Sequence, residues 1–197
     1  MLDDCWIETP HGKIYGKSAG NTADPLLLGL HGWSQRNGWH TWEPLLEPVG
    51  SAGFFALSID MPGWGQSAPW NDGQLSQEQG VEAVLAIMDA FEKESAVLMG
   101  KSWGGAVAIQ TAMRHPNKIT KLILTAPAYS TFTALKTLQT PILLAWAEDD
   151  PVIPFAYAAK FAQAAPNVQL ETYPTGGHSA APKNAADFAP KAVGFLK

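Results

Sequence analysis

Short apolar runs ended by turn residues recur along this chain of 197 residues, at 25–30, 54–59, 96–99, 121–124, 141–146 and 168–173. Most are apolar nearly throughout, the pattern of strands buried on both faces of a parallel sheet. Helical periodicity fills the gaps. Val81, Val84, Leu85, Met88 and Phe91 recur at helical spacing, while Glu82, Asp89, Glu92 and Lys93 fall on other faces. Further helices are predicted from Ser102 to about residue 115, where His115-Pro116-Asn117 stops the pattern, and over about 155–164 and 184–196. Trp42 opens another before Pro44-Leu45-Leu46. At the start, residues 6–9 and 13–16 read as a hairpin turned at Pro10-His11-Gly12. A hairpin followed by repeated strand–helix units predicts an α/β domain, with a mostly parallel sheet and helices on both faces. A single domain over 1–197 is expected, without internal repeat or linker.

One junction carries the strongest chemical signal. The run at 96–99 leads into Gly100-Lys101-Ser102-Trp103-Gly104, and Gly105-Ala106-Val107-Ala108-Ile109-Gln110 continues as helix. This is Gly-x-Ser-x-Gly between a strand and a helix. The turn must be tight enough to strain the serine backbone, and the flanking glycines let strand and helix approach. Such a turn presents the Ser102 hydroxyl at the end of the sheet and places the Trp103 amide at a helix start. A nucleophile and half of an oxyanion hole then come from one turn.

Catalytic groups in such a sheet belong at the carboxyl ends of the strands. Those ends hold His31-Gly32-Trp33-Ser34, Asp60-Met61-Pro62-Gly63-Trp64-Gly65-Gln66-Ser67, Glu148-Asp149-Asp150-Pro151 and Gly176-Gly177-His178-Ser179. Serine, acid and histidine follow in that chain order, with Asp149 and Asp150 both available as the acid.

Together these segments resemble the α/β-hydrolase family over nearly the full chain. The resemblance implies a Ser102–Asp150–His178 triad, with Asp150 favoured over Asp149 by the spacing to Pro154. It also implies that the backbone N–H groups of Trp33 and Trp103 form the oxyanion hole. His31 and Asp60 match structural positions of the family, and Thr125-Ala126-Pro127-Ala128 offers no carboxylate at the alternative position of the acid. Many family members insert a helical cap between the strands ending near Thr125 and starting near Pro141. Here residues 128–140 suffice for a loop and one short helix, as in the small, capless members. The implied activity is a serine hydrolase acting on an ester, thioester or amide, a carboxylesterase-like enzyme. Perhydrolysis or carbon–carbon cleavage by the same residues, and a non-catalytic sensor or interaction module, are the alternatives the fold allows. No cofactor and no metal is expected.

Composition narrows the partners. The chain is 46% hydrophobic and 16% charged, with a formal net charge of -5 and no basic cluster, so nucleic-acid binding is not expected. Its one cysteine, Cys5, excludes an internal disulfide. The acidic start Met1-Leu2-Asp3-Asp4 lacks a signal-peptide core, and no apolar run is long enough for a membrane span, so a cytoplasmic protein is the expectation. The expected partner is a small acyl substrate reaching an open crevice. Trp33, Trp39, Trp42, Trp64, Trp70 and Trp103 lie in or near loops expected to rim it, with Trp42 assigned to core packing. Lys101, beside the nucleophile, is expected to reach solvent, with a substrate anion or nearby carboxylate as the other reading.

Overall fold

The computed structural model describes residues 1–70 and 74–197. Among them, eight strands form one sheet in the order β1-β2-β4-β3-β5-β6-β7-β8. These are β1 (Asp3–Thr9), β2 (Gly12–Ala19), β3 (Leu26–Leu30), β4 (Phe55–Ile59), β5 (Ala96–Lys101), β6 (Ile119–Thr125), β7 (Ile142–Ala147) and β8 (Val168–Tyr173). β1 pairs antiparallel with β2, and β2 antiparallel with β4. Every other pairing is parallel. The expected hairpin and parallel sheet are both present, and the hairpin strands run longer than their apolar residues alone predict.

The apolar runs are explained by burial on both faces. Along β3, Leu26, Leu28 and Leu30 join one core cluster while Leu27 joins another; along β7, Ile142, Leu144 and Trp146 alternate with Leu143, Ala145 and Ala147. Successive side chains point to opposite faces, so a strand covered twice needs apolar residues at every position. The first face is covered by α2 (Gln77–Ala90), α3 (Trp103–Arg114) and α5 (Ala156–Ala164), which contribute Val81 and Val84, Val107 and Ile109, and Phe161. The second is covered by α1 (Glu43–Ser51) and α7 (Ala185–Leu196), through Leu45, Leu46, Phe188 and Ala192. Ser76 caps α2 in a reciprocal box with Gln79, which fixes where that helix begins.

Between β6 and β7 the chain forms only α4 (Phe132–Leu135), so no cap domain is inserted there. A further short helix, α6 (Ala180–Lys183), follows a 3-10 turn over Gly177–Ser179 and has no counterpart in the periodicity of the sequence. Four residues are too few to show a period. No helix among the described residues is long and apolar enough to cross a membrane.

Candidate active site

The ends of β3, β4, β5, β7 and β8 carry the segments singled out from the sequence. At the end of β5, Ser102 adopts φ 51° and ψ −116°, the strained conformation expected of the elbow. Close backbone approach explains its glycines. A Cβ on Gly100 would lie 2.6 Å from Gly105 Cα, and one on Gly104 would lie 2.6 Å from the Leu30 carbonyl oxygen. Thr125 holds the turn from the next strand: its carbonyl accepts the Ser102 N–H at 3.1 Å. The Ser102 carbonyl in turn accepts the N–H groups of Ala106 at 3.1 Å and Ala128 at 2.8 Å.

Asp150 and His178 meet at the ends of β7 and β8. His178 Nδ1 lies 2.9 Å from Asp150 Oδ2 and 3.1 Å from Oδ1, and the Asp150 side chain is fully buried. Oδ1 also accepts the backbone N–H groups of Val152 at 2.8 Å and Ile153 at 3.0 Å. Those two bonds orient the carboxylate before the imidazole is considered. A carboxylate facing Nδ1 makes that nitrogen the donor and leaves Nε2 as the acceptor. His178 Nε2 is buried and has no hydrogen-bond partner among the described residues. No hydrogen bond therefore joins it to Ser102 in this conformation.

Asp149 has a separate task. Its Oδ1 accepts the Gly177 N–H at 2.7 Å, so it ties the β7 turn to the loop carrying His178. The acceptor serves a loop 28 residues away in the chain. Thr125 adds a second tether, because its Oγ1 accepts the Ala181 N–H at 3.3 Å. Thr125 thus bonds both the elbow and the segment after His178. Nothing in the sequence marks it, since a threonine at a strand end is ordinary.

His31 is buried at the end of β3. Its Nδ1 donates to the Gly32 carbonyl at 2.7 Å, and its Nε2 accepts the Met61 N–H at 2.9 Å. Both ring nitrogens are used by backbone in the neutral form, and burial pushes its pKa down to about 4. Asp60 works similarly at the end of β4: Oδ1 accepts from Trp39 N at 2.8 Å and Oδ2 from Gln66 N at 3.0 Å. The turn behind the site is therefore a polar framework, as the resemblance implied.

The tryptophans divide. Trp33, Trp64 and Trp103 form one cluster, with ring centroids 5.0 Å apart for Trp33–Trp64, 5.2 Å for Trp33–Trp103 and 6.0 Å for Trp64–Trp103. Trp64 Nε1 donates to the Trp33 carbonyl at 3.2 Å, which fixes the loop bearing the Trp33 amide. As the first residue of α3, Trp103 has an N–H that the helix leaves without an internal partner. Beyond the cluster lies a cleft of about 260 Å³ lined by residues including Trp33, Trp64, Trp70 and Leu75. Its lining does not include Ser102. Trp42 is fully buried, with Nε1 donating to the Leu30 carbonyl, and Trp70 stacks on His11.

Lys101 departs from expectation. It is partly buried, and its Nζ donates to Asn37 Oδ1 at 3.2 Å rather than running out to solvent. Asn37 Nδ2 in turn donates to the Ser34 carbonyl at 3.2 Å.

This strand order and elbow define a class of α/β proteins built on one mostly parallel sheet. Residues 25–138 match the family model described as alpha/beta hydrolase fold, and the chain belongs to that family. It is 32% identical over 114 residues to a 2-hydroxy-6-oxononadienedioate/2-hydroxy-6-oxononatrienedioate hydrolase of Cupriavidus pinatubonensis, covering 57% of this chain and 39% of that protein. It is 31% identical over 123 residues to Epoxide hydrolase 4 of Mus musculus, covering 61% of this chain and 33% of that one. Many of these matches span about two fifths of the curated relatives' length. Among solved structures, a predicted CIB-like hydrolase from Thermoplasma acidophilum superposes with a TM-score of 0.89 at 22% identity, over 100% of this chain and 98% of that one. Naproxen esterase from Bacillus subtilis gives 0.86 at 15% identity, over 100% and 92%. At these identities the superpositions establish the fold.

The neutral His31 makes stability depend on pH in a defined window. Unfolding frees the ring to take up a proton near its ordinary pKa of 6.5, whereas the folded ring resists protonation until about pH 4. The unfolded state therefore binds more protons between these values. The contribution of His31 is fully present above pH 6.5 and is lost as pH falls toward 4, by about 3 kcal/mol in all. Urea unfolding of the wild type and of His31→Gln across this range tests it. The variant, although less stable at pH 7, is expected to lose less stability on acidification.

Proposed function

We propose that this chain is a serine hydrolase cleaving an acyl ester, thioester or amide through an acyl-enzyme. The observation that carries the reading is the Asp150–His178 pair at 2.9 Å, with Nε2 buried and without a partner among the described residues, at the same carboxyl end of the sheet as the strained Ser102. In this reading Nε2 takes the Ser102 hydroxyl proton as Oγ attacks the acyl carbon. The Trp33 and Trp103 N–H groups donate hydrogen bonds to the developing oxyanion. His178 then protonates the leaving oxygen, sulfur or nitrogen, and water repeats the sequence to release the acid. Neither amide donates a hydrogen bond within the described residues, which keeps both available.

Cys5 offers no rival nucleophile. Burial of Cys5 in β1 pushes its thiol up to about 11, so little thiolate exists near neutrality. A second reading, carbon–carbon bond hydrolysis by the same residues, draws support from the relatives named as 2-hydroxymuconate semialdehyde hydrolase and oxononadienedioate hydrolase. A semialdehyde substrate assayed beside the esters separates the two. In both readings the partner is a small molecule. No group of three metal-ligating side chains is present among the described residues.

Ser102→Ala is expected to abolish labelling by a fluorophosphonate probe and ester turnover while circular dichroism stays unchanged. Labelling at the wild-type rate in that variant would remove Ser102 from the mechanism.

Asp150→Asn is expected to lower kcat far more than Asp149→Asn. The Val152 and Ile153 amides select the oxygen of the new Asn, so its NH2 faces His178 Nδ1 and forces the wrong tautomer. In the serine-protease triad the corresponding change costs about ten-thousand-fold. Asn at 149 still accepts the Gly177 N–H, so its effect is expected to be small. A larger loss at position 149 would exchange the two roles.

Acyl selectivity follows from the tryptophan cluster. With Trp33 and Trp103 flanking the serine, acetyl and benzoyl esters of one phenol are expected to outperform the decanoyl ester in kcat/KM. A decanoyl preference would point to a channel past the indoles.

A further inference from the structure

The mechanism leaves Lys101 unexplained. A partly buried ammonium is expected to have a carboxylate or several carbonyls around it, because burial disfavours an unpaired charge. Lys101 has one neutral acceptor, Asn37 Oδ1, and no carboxylate within salt-bridge distance among the described residues. Its surroundings add positive charge. Burial lowers its pKa first and the ammonium of Lys183 lowers it further, while Asp150 opposes them. Asp150 is already committed to His178 and to two backbone amides.

Both lysines lie against the machinery. A Cβ placed on Gly32 would lie 3.4 Å from Ser102 Cβ and 3.8 Å from Lys101 Cε, so the lysine stem and the serine both approach Gly32, beside Trp33. A Cβ on Gly177, one residue before His178, would lie 3.9 Å from Lys183 Nζ. Lys183 is exposed at the end of α6 and likewise has no carboxylate partner among the described residues. Two ammonium groups without a carboxylate partner among the described residues thus lie beside Gly32 and Gly177, next to Ser102 and His178, in a chain whose net charge is -5.

We propose that Lys101 and Lys183 form an anion subsite beside Ser102, and that the ester hydrolysed by this chain carries a carboxylate on its leaving group. The leaving group is the assigned side because the Lys183 ammonium lies beside Gly177, in the loop of His178, the residue that protonates the departing oxygen. The acyl side meets Trp33 and Trp103. The substrate assignment rests on the serine-hydrolase reading above; the subsite itself can be read without it.

The test compares kcat/KM for meta-carboxyphenyl acetate with that for the neutral meta-carbamoylphenyl acetate. Wild type is expected to favour the carboxylate by about tenfold, the effect of one charge-assisted hydrogen bond. Lys101→Gln and Lys183→Gln should each reduce the ratio, and Lys101→Arg should keep it. Any loss of loop support through Asn37 would slow both esters together, so the ratio isolates the charge effect. A ratio unchanged by both glutamine variants would overturn the subsite. A preference shown only when the carboxylate sits on the acyl part, as in the phenyl monoester of terephthalic acid against its amide, would overturn the leaving-group assignment. Turnover of neither ester would count against the hydrolase reading alone. The subsite would then be read by binding of meta-hydroxybenzoate to Ser102→Ala, followed by tryptophan fluorescence. Binding no tighter than that of meta-hydroxybenzamide would overturn it.

Discussion

The approach of α3 to the ends of β3 and β5 is the constraint on which the rest of the site depends. The helix begins one residue after Ser102, and its first turn presses on the Leu30 carbonyl and on β5 itself, leaving no room for a side chain at Gly100 or Gly104. This contact forces the serine into φ 51° and leaves the Trp103 N–H at an open helix start. The strain persists because the surroundings over-determine it. The Ser102 amide is taken by Thr125, its carbonyl by Ala106 and Ala128, and the helix is anchored by Val107 and Ile109 in the core.

Around that contact the polar groups are arranged so that backbone fixes each side chain. Two amides orient Asp150 before it meets His178, and two backbone groups hold His31 neutral between β3 and the turn after β4. Asp60 binds the Gln66 amide of the same turn and the Trp39 amide of the connection between β3 and α1. Buried polar groups in this edge of the sheet are satisfied by main chain, which moves less than side chains do. His178 Nε2 is the exception, the one buried side-chain nitrogen or oxygen without a partner among the described residues.

Much of this was legible in the sequence because burial on two faces leaves a local trace. Residues 26–30, 96–99 and 142–146 are apolar because every one of these positions is buried, and the elbow is visible because only glycine fits where backbones touch. The pairing of Asp150 with His178 could be expected from chain order and resemblance. What stayed hidden depends on contacts between distant segments. Thr125 bonding both the elbow and Ala181, Asp149 reaching Gly177, and Lys101 turning to Asn37 each join residues at least 23 positions apart. No periodicity encodes such pairs. α6 escaped for a different reason: at four residues it is shorter than two turns of its own repeat.

The position of β8 in the sheet has a consequence for how the molecule would fail. β8 pairs with β7 alone, only Tyr173 of its six residues is buried, and it leads directly to the loop of His178. Outer strands with few buried contacts open more readily than the centre of a sheet. The histidine therefore hangs from a margin of the fold while the serine is rooted in its middle. Fraying of that margin would separate the two without unfolding β3, β5 or β6, so loss of function can precede loss of structure in this chain.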